Sequence, residues 1–234
     1  MSARARLGGL CLIASLAACT TATPDAPGQA QAPVGPVLSA PEAARSYAVD
    51  PQASRIRFIV RRGGSLARLG HNHVIMARQI KGVIRSADSP QRSTVELSLP
   101  VSGFEVDPPD ERAALGEGFG PVPEAAVAGT RKNMLGDQVL EAARFPVVTI
   151  ETVRVAPKAS DWDITVRITL HGVARDLTVP VQVTRDGTML RARAEFSVRQ
   201  RDFGITPLSV LGGALQVEDE VEVRMLLVAL ADDA

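Results

Sequence analysis

Three histidines are the only imidazoles in 234 residues, and two of them, His71 and His73, are spaced as His-x-His. Residues two apart on a strand share a face, so this pair could offer two nitrogens to a metal ion, with His171 or a carboxylate completing the set. The reading favoured here is plainer: a structural hydrogen bond, or contact with the polar head of a ligand. His171 shares the parity of Thr165 and Thr169 and is expected to point away from the interior or into a turn. Arg201 and Asp202, ahead of Phe203 and Gly204, form a second charged group that either orders a strand end or touches a ligand. Other chemistries have no residues to use. There is no Gly-x-Ser-x-Gly elbow and no glycine-rich phosphate loop, and both cysteines, Cys11 and Cys19, fall in the N-terminal leader. The folded part therefore has neither a thiol nucleophile nor a disulfide. No catalytic set, metal or other cofactor is expected.

The leader carries its own signal. Arg4 and Arg6 precede twelve uncharged residues, Leu7 to Ala18, the pattern of an export sequence. Such a span is too short for a hydrocarbon core of about 30 Å, which needs roughly 20 apolar residues. Leu16-Ala17-Ala18-Cys19 resembles the lipobox of bacterial lipoproteins, whose cysteine is lipidated and becomes the first residue of the mature chain. The alternative is an ordinary signal peptide with an incidental cysteine. Residues 1–18 are thus expected to be a lipoprotein signal peptide, Cys19 the lipidation site that ties the protein to a membrane, and 19–45 a Pro/Ala-rich disordered or polyproline-like linker. Thr20 stands where an inner-membrane retention signal would usually be Asp. The expected location is the bacterial periplasm, lipid-anchored, with the outer membrane favoured over the inner.

Residues 46–234 are expected to form one domain. At 45% hydrophobic and 22% charged, with zero formal net charge, the chain is that of an ordinary folded protein. A nucleic-acid binder is set aside, because no basic run is present to displace counterions from phosphates.

The dominant period after Ser46 is two, the signature of strands with one buried face. Ile56, Phe58 and Val60 alternate with arginines; Val95 to Val101, Trp162 to Leu170, Leu177 to Val183 and Leu190 to Val198 repeat the pattern. Val221 to Leu230 begins alternating and ends apolar on both faces, as a strand covered on both sides would. Weaker runs, Val74 to Arg85 and Val147 to Val155, bring the count to about eight. Arg185-Asp186-Gly187-Thr188 and His171-Gly172-Val173 mark tight turns, so neighbours are antiparallel. Their apolar faces must meet in a closed barrel or two stacked sheets. Only Asp107 to Phe145 lacks this period; within it Pro121 to Met134 suits a helix, with Gly136 as a C-terminal stop, placed to cover one mouth.

Several stretches resemble the YceI-like family: Tyr47-Ala48-Val49-Asp50 with Ser54 to Phe58, Arg144 to Ile150, Trp162 to Val173, Arg201 to Ile205 and Val217 to Val221. Together they span nearly all of residues 46–232 in the family's order. The resemblance implies a mainly β fold, an eight-stranded antiparallel lipocalin-like barrel with a helical insertion. It further implies export from bacteria and binding of polyisoprenoid or similar long amphiphiles inside the barrel. The chain departs from the family at Gly70-His71-Asn72-His73 and in its long Ala/Pro-rich insertion.

The inward positions are medium aliphatics, with Phe58, Trp162 and Phe196 the bulky members. They either leave a long apolar channel or simply pack, and the resemblance favours the channel. The residues expected at a ligand are Phe58, His71, His73, Trp162, Ile164, Val166, Ile168, His171, Phe196, Arg201 and Phe203. The expected function is carriage of a long isoprenoid-like molecule, a polyprenyl lipid or quinone. The alternatives are a metal-binding enzyme or redox accessory using His71 and His73, and a structural envelope lipoprotein with a filled barrel. The expected partners are that lipid and the membrane, with no nucleic acid, and homodimer formation is left open.

Overall fold

Alternating aliphatic and polar side chains leave each strand one face to bury, and the chain buries these faces by rolling them into a tube. The computed structural model describes residues 35–232. The expected signal peptide, Cys19 and the linker as far as residue 34 lie outside the described residues.

Twelve strands and two helices follow in the order β1 (Arg45–Val49), β2 (Arg55–Gly63), β3 (His73–Ala77), β4 (Lys81–Ser86), β5 (Thr94–Pro100), β6 (Phe104–Val106), α1 (Pro109–Leu115), α2 (Glu124–Leu135), β7 (Val147–Lys158), β8 (Asp161–Leu170), β9 (Val173–Asp186), β10 (Met189–Arg199), β11 (Ser209–Val210) and β12 (Leu215–Ala231). Every pairing is antiparallel. Eight strands close the ring β1-β4-β5-β7-β8-β9-β10-β12, sealed by Tyr47 to Val49 against Ala231 to Ala229. From β12 a second tier, β2-β3-β6, extends the wall.

The expected eight-stranded barrel is present; among the described residues the count rises to twelve because β2, β3 and β6 form the second tier and the two-residue β11 pairs with β12. The run read as Val74 to Arg85 breaks at Arg78 to Ile80: β3 pairs with β2, while β4 pairs with β1. The run read as Val95 to Val101 ends in a 3₁₀ turn, after which β6 pairs with β3. β1 and β2 both pair with β12, at successive levels of its 17 residues.

The switch from β2 to β1 leaves Val228, which is paired with Arg191 of β10 on its other side, without a strand partner on this one, and the chain fills the gap locally. The Ser54 hydroxyl donates to Val228 O at 3.2 Å and accepts from Val228 N–H at 2.9 Å, and Asp50 N–H also donates to Val228 O. Asp50 Oδ1 accepts from the amides of Gln52 and Ala53, fixing the turn that brings Ser54 there. Leu227, Val228 and Ala229 are all buried, as the unbroken apolar end of that strand implied.

Turns are tight where expected. His171 (φ 53°) and Gly172 (φ 73°) form a two-residue hairpin between Leu170 and Val173. A Cβ on Gly172 would lie 2.5 Å from the Phe145 ring, so both conformation and space require glycine.

The aperiodic region holds two helices rather than one. α2 begins at Glu124, not Pro121, because a residue preceding proline is driven out of helical geometry and the helix can start only after Pro123. It runs one residue past Met134, and Gly136 follows in extended rather than left-handed conformation. The seven-residue α1 was not expected; it is too short to show a period. It packs outside β3, so Val74 and Met76 are buried on the outer face of that strand as Ile75 is on the inner. The expected linker also ends sooner than Arg45: Leu38 N–H donates to Thr152 O at 2.8 Å, laying residues before β1 against β7.

Candidate functional site

The inward side chains do not fill the tube. A cavity of about 580 Å³ occupies the part walled by β1, β4, β5 and β7–β10, lined by Leu97, Trp162, Ile164, Val166, Val179, Val181, Leu190 and Leu227 among others. That volume falls within the roughly 300–1,000 Å³ usual for small-molecule sites. Its polar lining, which includes Arg45, Ser86, Asp88, Ser93 and Arg185, belongs to strand ends and turns. A second cavity of about 230 Å³ lies toward β2, β3, β6 and α2, lined by Phe58, Val60, Ile75, Leu99, Phe104, Phe203, Leu208 and Val221 among others. Ile150, Ile168, Phe196 and Met225 line both and form the waist between them.

α2 stands over the second cavity. Thr130, Asn133 and Met134 contribute to its lining, yet no residue of the helix is fully buried. Val127, Met134 and Leu135 pack against the core, and the helix is also pinned by Arg131, whose guanidinium donates to Phe104 O, and to Ser102 O at 2.9 Å. These carbonyls belong to β6 and the turn leading into it, so the helix also shields an unpaired strand edge.

Of the residues expected at a ligand, Phe58, His73 and Phe203 line the smaller cavity, Trp162, Ile164 and Val166 the larger, and Ile168 and Phe196 both. His71, His171 and Arg201 line neither. β3 starts only at His73, so His71 belongs to the preceding loop, where it is exposed and its ring centroid is 6.3 Å from that of His73. The shared strand face on which a metal pair depended is therefore missing. Among the described residues no cluster of three or more His, Cys, Asp or Glu side chains is placed to hold a metal.

His171 sits in the turn, as its parity implied, and works as a brace. Its Nε2 lies 2.9 Å from Glu141 Oε1 and its Nδ1 3.3 Å from Phe203 O, while its ring meets that of Phe145 edge-on at 4.7 Å. Arg201 is exposed, and its backbone N–H donates to Asp219 Oδ1 at 3.0 Å. Four of the stretches that carried the family resemblance thus make contacts at one rim, where they hold the barrel's end in shape.

The polar group that sequence reading missed surrounds His73. Asp107, held at φ 55° just past β6, has a fully buried carboxylate. Its Oδ2 accepts from His73 Nδ1 at 2.6 Å, and its Oδ1 accepts from Val74 N–H at 3.0 Å and Arg112 Nη1 at 2.5 Å. Burial alone would push this carboxyl's pKa up. The hydrogen bonds from His73, Val74 and Arg112, and the attraction of His73 whenever it is charged, outweigh it, so the pKa lies below the ordinary carboxylate value. Arg112, itself buried, also donates to Asn72 O and Gly120 O, tying α1 to the loops on either side. Glu111 on the same helix is buried against Arg57 at 2.6 Å and Arg55 at 3.6 Å. No local pattern announces the contact of Asp107 with His73, which joins residues 34 apart.

Comparison with known proteins agrees with this architecture. The structure resembles that of Burkholderia cenocepacia BcnA, with a TM-score of 0.59 at 17% identity, covering 77% of this chain and 99% of that one. It also resembles a polyisoprenoid binding domain from Saccharophagus degradans implicated in plant cell wall breakdown, with a TM-score of 0.55 at 16% identity, covering 80% and 99%. A mutant YceI protein with a monobromobimane guest gives a TM-score of 0.50 at 10% identity, covering 68% and 85%. At these identities the likeness is one of fold. No curated protein matches the sequence. The family model of the YceI-like domain matches residues 47–229, nearly the whole described barrel, and the chain belongs to that family.

Proposed function

We propose that the protein carries a long isoprenoid-like molecule, a polyprenyl lipid or a quinone, inside its barrel, while a lipidated Cys19 holds it at the periplasmic side of the outer membrane. The observation that supports this reading is the pair of neighbouring cavities that share Ile150, Ile168, Phe196 and Met225, the smaller almost entirely aliphatic and aromatic and the larger mostly so. Each five-carbon branched unit gains about 4 kcal/mol gross at roughly 0.8 kcal/mol per carbon, less the cost of association and ordering. Two or three units suffice for micromolar affinity on that account. The binding of a polyisoprenoid by the Saccharophagus degradans domain points to the same class of guest.

The test is extraction of protein purified from its own host with mild organic solvent, followed by mass spectrometry. A stoichiometric isoprenoid in the extract is the expected result. Repeated preparations yielding only empty protein would reject the carrier reading. Anchoring is tested separately: a labelled fatty acid fed to the host should enter the wild-type protein and not Cys19→Ala.

A further inference from the structure

We infer that the guest's head is a hydroxyl, as in an isoprenoid alcohol or a hydroquinone, which donates a hydrogen bond to Nε2 of His73. This rests on the carrier reading and adds the chemistry of the end group. The Asp107 carboxylate can only accept, so its 2.6 Å contact fixes the proton of the neutral imidazole on Nδ1. Nε2 then carries a lone pair, and among the described residues it has no hydrogen-bond partner. His73 is one of the few polar residues in the lining of an otherwise aliphatic and aromatic cavity. The others are Thr130, Asn133 and Gln200, which can each donate as well as accept, and Gln200 spends one amide N–H on Glu218 O at 2.8 Å. Nε2 alone among them can only accept and so selects a donor: an ether, ester or quinone carbonyl would leave its lone pair unmet. Arg112 holds the other carboxylate oxygen, so Asp107 cannot turn away to release the ring. Asp107 and Arg112 are positioning residues here, and His73 is the contact.

The experiment titrates the full chain with geranylgeraniol and with its methyl ether, which has the same chain and an acceptor-only head, following the fluorescence of Trp162, the single tryptophan and a wall residue of the larger cavity. Wild type should bind the alcohol about tenfold more tightly than the ether. His73→Phe keeps a ring and removes the acceptor, and should bind both equally. In Asp107→Asn the oxygen is claimed by Val74 N–H and Arg112, which turns the amide NH₂ toward His73 Nδ1 and moves the imidazole proton to Nε2. That variant should also lose the preference while still binding both. Ring ¹⁵N spectra, simple to assign with three histidines, should show an unprotonated Nε2 in wild-type His73 that shifts on adding the alcohol and not the ether. Equal binding of both compounds by wild type, or a preference that survives in His73→Phe, overturns this inference and leaves the carrier reading standing. Binding of neither compound by wild type defeats the carrier reading itself.

Discussion

His73 shows how much one side chain's meaning depends on a residue far away in sequence. As half of a His-x-His pair it suggested a metal. Paired with Asp107 it is a fixed imidazole whose one free polar atom belongs to a cavity. The buried carboxylate also couples this site to pH. Because the folded-state pKa of Asp107 lies below its ordinary value, its contribution is fully present above the unfolded value of about 3.9 and is lost as pH falls through the folded one. Thermal melts should therefore show a loss of stability beginning below about pH 4 that is shallower in Asp107→Asn, and identical acid limbs would contradict that assignment. Ser54 is the clearest case of a residue whose role is structural. Removing its hydroxyl leaves the N–H of Val228 without a partner in a buried place, while the C=O keeps Asp50 N–H. Ser54→Ala should cost about 1–3 kcal/mol by denaturant melts. The inward aliphatics Ile164, Val166 and Ile168 were legible from parity alone, since alternation decides which side a strand residue faces. The contacts of Asp107, Arg112 and Gln200 were not, because each depends on elements that meet only after folding.

At the scale of the element, the long strands read correctly and the bent ones did not. The alternation in β8 and β10 continues for the whole strand, so it predicts both the element and its inner face. In β3 and β4 the run changes partners partway, and a bend of that kind leaves no mark on a two-residue period. The inward Val221, Val223 and Met225 of β12 could have been found from the same alternation that placed Phe196 opposite them. α2 differs from most of the strands in having no fully buried residue, being held over the cavity by the partial burial of Val127, Met134 and Leu135 and by Arg131. Arg131→Ala should free it, so a bound isoprenoid should leave several-fold faster in stopped-flow displacement while the melting temperature hardly changes. An unchanged off-rate would mean that guests do not pass beneath this helix.

Taken whole, the molecule is a wall of aliphatic residues closed by the pairing of its first and last strands, and its function depends on what that wall leaves empty. The ring was legible because one-sided strands have few ways to hide their apolar faces. The volume inside was not, since packing density is set by side-chain sizes at facing positions that no single strand reveals. The waist decides which guests fit. Ile168→Phe should narrow it, so that an isoprenoid of eight units loses at least tenfold in affinity while one of two units is little affected. Equal losses for both would show that the long chain never crosses there. The most direct measurement is a crystal structure of the protein with a polyprenyl lipid bound. Continuous density running from the larger cavity past Ile150, Ile168, Phe196 and Met225 into the smaller one is the predicted result. A lipid lying on the outer surface, beside an interior closed over by its own side chains, would contradict it.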